Sequence, residues 1–254
     1  ILVGNDASTD STPEIVERIA AANSEVFRIF HRKPNLGTSE NFIDLVYRAK
    51  GEYIAQVDGD DNLTDLNKFQ IQTDFLDHHP ECSICFHHYS NQDDQGNALK
   101  PSVTPFEKDT ITDLDLLLTT TLGPGNTTVF KRSALPEKAP NWLRECGNHK
   151  DFAIQFLVAS KGRIGYIHRV MSAYTIHETN ITKIESFEKL LRNSILINQG
   201  FLAYHKQLGI KQYQDVLKFI VNQRILGLAF FQLQDKSYLR FLGNIFNVLV
   251  HYRH

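Results

Sequence analysis

The 254-residue chain is poor in cysteine, with three in all, and has no excess of basic residues. Three thiols cannot build a disulfide framework, so a reducing, cytoplasmic setting is expected. Lys and Arg number 27 against 29 Asp and Glu, a formal charge of −2. That balance argues against a nucleic-acid footprint. No apolar run reaches the roughly 18–20 residues that span a bilayer. There is no internal repeat and no low-complexity tract. What remains is an ordinary globular composition, 42% hydrophobic and 22% charged, long enough for one large α/β domain or a medium one with an appendage.

The chain opens on Ile1-Leu2-Val3, which reads as the end of a buried strand entering the polar turn Asn5–Ser11. A domain that starts in mid-strand is expected to have lost its first element. Ile15, Val16, Ile19 and Ala20 then give a helical stripe behind Thr12-Pro13. Val26–Phe30 reads as a strand, and Asn35-Leu36-Gly37 as a turn. Phe42, Leu45, Val46 and Ala49 form one face of a second helix ended by Gly51, and Tyr53–Val57 is a buried strand. Strand, helix, strand, helix, strand predicts a parallel sheet with helices packed on it. Ligands of such sheets bind at the carboxyl ends of the strands, where the turns at Asp6 and Asp58 both fall.

Further on, Leu66–Leu76 has helical periodicity, and Cys82–Tyr89 that of a strand. Leu114–Leu118 reads as a short helix, and Thr127–Phe130 as a strand after Gly123-Pro124-Gly125. Phe152–Ser160 is a helix closed by Lys161-Gly162, and Ile164–His168 and Val170–Tyr174 are two short strands. From about Ser186 the pattern is helical almost to the end. The expected organisation is an α/β domain over 1–185 and a helical region over 186–254.

The densest chemical signal is Tyr53–Asp61, YIAQVDGDD, a strand that delivers three carboxylates into one turn. Clustered aspartates are hard oxygen ligands for a divalent cation on a diphosphate. An EF-hand is excluded, because Leu63 and Phe69 stand where that loop needs Gly and a bidentate Glu. A plain turn with a helix cap is the alternative. Cys82 and Cys85 beside His87-His88 suggest zinc, but residues three apart on a strand point to opposite faces and there is no second CxxC pair. Gly123–Thr128, GPGNTT, lacks the Lys-Ser/Thr ending of a P-loop and suits an acceptor-side loop.

NDASTD, NLGTSENF and YIAQVDGDD, in that order, resemble the donor half of the family 2 glycosyltransferases, over roughly residues 1–180. The resemblance implies the GT-A fold: a mixed, mostly parallel sheet flanked by helices, followed here by a C-terminal helical appendage. It places Asp6 on the uracil and ribose side of the donor, with Asn35 of the Asn-x-Gly turn also on the nucleotide. Asp58 falls near the ribose and metal, and Asp60 binds Mg²⁺ or Mn²⁺. His177, after the last strand, would complete the metal site or touch the diphosphate; a surface histidine is the alternative.

Asn148–Gly162, NHKDFAIQFLVASKG, resembles the family's acceptor half and makes Asp151 the general base. Its alternative is an acid interacting with a helix dipole. Departures are the missing first strand, Glu40 where many members have Arg, and His149-Lys150 before Asp151.

The implied activity is inverting transfer of a sugar from a nucleoside-diphosphate donor, most simply a UDP-sugar, to a hydroxyl of a glycan or lipid-linked acceptor. A non-catalytic module of the same fold is the alternative. The final helix, with Leu239, Leu242, Ile245, Phe246 and Leu249 on one side, has three uses open to it: peripheral contact with the inner face of the membrane, packing on the catalytic domain, or a homodimer interface.

Overall fold

The computed structural model describes residues 1–254 apart from 101, 103–105, 115, 118–120, 179, 181–185, 235, 236 and 252–254. The elements run β1 (Leu2–Asn5), α1 (Thr12–Ala22), β2 (Arg28–His31), α2 (Thr38–Arg48), β3 (Tyr53–Ala55), β4 (Asn62–Leu63), α3 (Lys68–His78), β5 (Cys82–Gln92), β6 (Thr110–Thr112) and β7 (Thr128–Lys131). Then follow α4 (Asn141–Arg144), α5 (Lys150–Ala159), β8 (Arg163–Thr175), α6 (Phe187–Gln207), α7 (Gln214–Gln234) and α8 (Tyr238–His251). The expected helix at Leu114–Leu118 includes residues 115 and 118, which lie outside the described residues.

The fold is the expected mixed α/β sheet flanked by helices, with helices at its C-terminal end, but its parallel share is smaller than expected. β1 and β2 pair in parallel as a sheet of their own. The larger sheet runs β3-β7-β5-β8-β4, with β6 also on β8; its β5–β8 ladder is parallel and its other ladders are antiparallel. The strand–helix alternation is real, but after β3 the chain returns through strands too distant in sequence for that alternation to specify their direction. No ladder joins β1 to β3 among the described residues. Helix α2 links the two sheets instead: Asn41 and Leu45 lie over Gly4, while Phe42, Ile43 and Val46 share a core cluster with Ile54.

Two strand readings change for one physical reason, irregular pairing. The segments read as separate strands before and after Arg169 form one strand, because β8 stays paired with β5 through a register shift between His87↔Ile167 and His88↔Val170. Cys82 and Cys85 do not diverge. A register irregularity between Cys82 and Ile84 resets the alternation, and both thiols lie buried in one cluster with Leu76, Val129, Ile167 and Met171. Burial pushes the Cys85 thiol up to about 12, so it packs as a small apolar group rather than a metal ligand.

The helical region shares the main core. Phe201 of α6 meets Phe156 of α5 at 3.9 Å between ring centroids, edge to face, and Ile197 and Leu217 join the same cluster. Gly200 makes room for Trp142; a Cβ there would sit 2.4 Å from the indole. Helix α7 corrects the reading of hydropathy. It is long and apolar enough to cross a membrane, although Asn222 and Arg224 interrupt its apolar run. It packs between α6 and α8, burying Leu217, Val221, Ile225 and Leu228.

One buried group makes stability depend on pH. His87 on β5 is 1% exposed; its Nδ1–H donates to the His88 carbonyl, and its Nε2 makes no geometrically sound hydrogen bond among the described residues, though the Asn126 backbone lies near the ring. Burial, with the nearby Lys68 charge, lowers its pKa to about 4. The unfolded chain takes up a proton below about 6.5 and the folded one does not, so stability falls as pH drops from about 6.5 towards 4. Asp61, which burial lifts to about 7, shifts stability in the opposite sense over the same range, so the His87 share is read by difference: from pH 7 to pH 4.5 urea unfolding should show the wild type losing roughly 2–3 kcal/mol more than His87→Phe.

Candidate active site

Three loops at the carboxyl ends of strands carry the residues expected at the site. β1 runs into the first, where Asp6 is fully engaged. Its carboxylate accepts from the Leu36 and Gly37 amides at 2.7 and 2.8 Å, and its carbonyl accepts from Asn35 Nδ2 at 2.7 Å. Asn35 Oδ1 also accepts from Gly37 N–H at 2.9 Å. The two residues therefore lock the β1 turn to the turn before α2. Ala7 follows with φ 62°, a left-handed backbone that costs a β-carbon residue on the order of 1 kcal/mol. Gly37, the residue preceding α2, sits at φ 84° and ψ 159°, a region essentially confined to glycine.

The second loop leaves β3, which ends at Ala55 rather than Val57. Gln56 turns out of the sheet. Its Nε2 donates to Asp151 Oδ1 at 2.8 Å and lies 3.2 and 3.3 Å from the two Asp58 oxygens. Gly125 permits this, since a Cβ there would approach the Gln56 amide within 2.6 Å. Lys150, mostly buried against the Phe42 ring, lies 3.9 Å from Asp58 and 3.6 Å from Asp151. Desolvation works against the ammonium, but the Asp151 and Asp58 charges prevail and hold its pKa above the usual lysine range. Loss of water raises the Asp58 pKa; Lys150 and Gln56 oppose the rise, and the Asp151 and Asp60 charges add to it.

The third cluster comes from β4 pairing antiparallel with the end of β8, Asn62 opposite Ala173. Thr175 Oγ1–H donates to the Asp60 carbonyl, and Thr175 N–H reaches Asp61 Oδ1 at 3.4 Å. His177 Nε2 lies 3.1 Å from Asp60 Oδ2. Burial lifts Asp61 to about 7; the Thr175 N–H lowers it, and the charges of Asp60, Asp58 and Asp151 raise it further.

The structure thus brings Asp58 to Asp151 and Asp60 to His177, and keeps Asp6 with Asn35 as a third group. Sequence reasoning missed Gln56 and Lys150. The available signal was a polar residue, Gln56, set between Ala55 and Val57 in an otherwise apolar stretch, and a lysine directly before the proposed base. Glu40, at the position where the resemblance gave many members an arginine, pairs with Arg144 of α4.

Asp60 and His177 suit a divalent cation, being an oxygen and an imidazole donor that face each other from partly exposed positions. No third His, Cys, Asp or Glu joins them in a ligating group among the described residues. Such a sparse protein set fits a cation held jointly with substrate phosphates.

A family model for glycosyl transferase family 2 matches residues 1–137, more than half of the chain. The chain belongs to that family. Uncharacterized protein Rv1520 of Mycobacterium tuberculosis is 31% identical over 181 residues, covering 71% of this chain and 51% of that one. The putative glycosyltransferase EpsE of Bacillus subtilis is 33% identical over 79 residues, 31% of this chain and 28% of its own. The chain spans about half the length of the mycobacterial relatives it matches.

Among solved structures, S. aureus TarS residues 1–349 superpose with a TM-score of 0.65 at 17% identity, covering 99% of this chain and 69% of that one. The mannosyltransferase PcManGT of Pyrobaculum calidifontis, in complex with GDP-Man and Mn²⁺, gives 0.52 at 11% identity, with 99% and 74% covered. GalNAc-T7 with UDP, GalNAc and Mn²⁺ gives 0.54 at 12% identity, with 92% and 51% covered. These likenesses show the GT-A fold.

Proposed function

We propose that the chain is an inverting glycosyltransferase that moves a hexosyl or N-acetylhexosaminyl group from a UDP-sugar to a hydroxyl of a glycan or lipid-linked acceptor in the cytoplasm. One observation carries this reading. A carboxylate of the acidic turn, Asp58, and a carboxylate at a helix start, Asp151, share one amide donor, Gln56, which lies 95 residues before Asp151 in sequence.

In this reading Asp6, Asn35 and Asp58 hold the nucleotide. Asp6 and Asn35 act as a braced turn whose rigidity comes from their bonds to the α2 entry. Asp60 and His177 hold Mg²⁺ or Mn²⁺, which when bound offsets charge on the diphosphate leaving group. Asp151 takes the acceptor's proton as the hydroxyl attacks the anomeric carbon. Gln56 and Lys150 keep the Asp151 carboxylate aimed. A single base and direct displacement invert the anomeric centre.

The test is a panel of UDP- and GDP-sugars with Mn²⁺. One UDP-sugar should raise the melting temperature, since ligand binding to the native state stabilises it by RT ln(1 + [L]/Kd). The same donor should release UDP slowly. A melting temperature unmoved by every nucleotide sugar would refute the donor reading. Binding without UDP release, in the presence of acceptor glycans, would favour a non-catalytic module.

A further inference from the structure

Charge is divided unevenly along the chain. Nine of its 27 Lys and Arg but three of its 29 Asp and Glu fall at or after Ser186, leaving 18 and 26 before it. The catalytic part is strongly acidic and the helical part strongly basic, although the whole is nearly neutral. No acidic residue occurs anywhere from Lys236 to the end of the chain.

The same region presents apolar surface. α8 has two apolar faces. Val248 is buried in a cluster with Val221 and Ile225 of α7, and this face accounts for the helix packing in the fold. The other face carries Leu239, Leu242 and Phe246, spaced i, i+3, i+7, which are 87%, 59% and 66% exposed. A helix already packed on one side has no structural need for a second large apolar stripe.

Cations adjoin the stripe. Arg240 lies on α8, and with Lys189 and Arg192 of α6 it lines a cleft of about 720 Å³. The acid in that cleft, Glu188, is bonded to Arg192 Nε at 3.0 Å, which neutralises it.

We propose that this face of α8, with the cationic cleft beside it, docks on an anionic lipid membrane. Leu239, Leu242 and Phe246 enter the boundary between headgroups and acyl chains, while Arg240 and its neighbours meet the lipid phosphates. An interfacial helix needs an apolar face together with basic charge. The charge asymmetry selects this occupant over a second copy of the chain, because two such faces brought together would oppose like charges. The proposal stands apart from the donor reading and would survive its failure.

The experiment is co-sedimentation of the full chain with vesicles of phosphatidylcholine alone and of phosphatidylcholine with phosphatidylglycerol. Binding should require phosphatidylglycerol and weaken as salt is raised. Leu242→Asp with Phe246→Asp should lower the partition coefficient by about tenfold or more for each side chain. Arg240→Glu should lower it about fivefold or more and flatten the salt dependence. Leu239→Asp, at the most exposed position, guards against misfolding; it should keep the melting temperature while losing vesicle binding. Metal-dependent UDP binding should be unchanged in all of these. Equal binding to both vesicle types, or none to either, overturns the proposal. A wild-type dimer that the double variant dissociates, with no vesicle binding by either, would assign the face to a second copy instead.

Discussion

Asp151→Asn should fold normally and lose about 10²–10⁴-fold in the rate of sugar transfer, the usual worth of a general base. The substitution keeps the shape of the side chain and most of its hydrogen bonding at the start of α5, but removes the proton acceptor. Donor affinity should hardly move, because Asp151 touches the donor cluster only through Gln56 and Lys150. Loss of an interaction made in the transition state lowers kcat and kcat/KM together. A purely structural role at the helix start predicts the opposite outcome: about 1 kcal/mol of stability lost at most, and transfer retained. Gln56→Leu supplies the internal comparison. It keeps the carboxylate and removes the amide that aims it, so transfer should fall by less than for Asp151→Asn. A stable Asp151→Asn protein with near-normal transfer would remove Asp151 as the base and direct attention to Glu145.

Asp60→Ala should abolish the Mn²⁺-dependent part of UDP binding and leave the fold intact. Replacing a group that merely orients a metal ligand costs 10–100-fold in affinity, so loss of a carboxylate ligand should cost on the order of 10²-fold or more. The side chain of Asp60 is about half exposed, and the bond that ties its backbone to Thr175 uses its carbonyl, which alanine retains. Thermal unfolding should therefore change little. His177→Ala should weaken the same binding by less, one donor of two remaining. Isothermal titration of UDP with and without Mn²⁺ reads both variants directly. Unchanged metal dependence in Asp60→Ala would place the cation elsewhere.

Much of this architecture was legible before any coordinates, for reasons that are local. The turns around Asp6, Asn35 and Asp58 are written in consecutive residues, and the stripe that placed Phe42 and Val46 on the inner face of α2 follows from the period of a single element, although it passed over Ile43, which is buried beside them. The acidic turn was recognisable because its carboxylates sit within four residues of one another. Strand direction and continuity were less legible. β5 and β8 carry register shifts that reset alternation, which is why Cys82 and Cys85 share a side and why β8 is one strand.

The sequence alone determined the α/β class, the family, the acidic turn and the helical C-terminal region, since each is expressed in short-range pattern and composition. Only the tertiary structure decided which of these features meet. Pairing of β4 with β8 brings His177 to Asp60 across 117 residues. The close approach of Gly125 lets Gln56 leave its strand and join Asp58 to Asp151. Arg144 answers Glu40 across 104 residues. The physical reason is common to all three. A strand specifies its own alternation, but its partner and register are settled by where the whole chain buries its apolar surface.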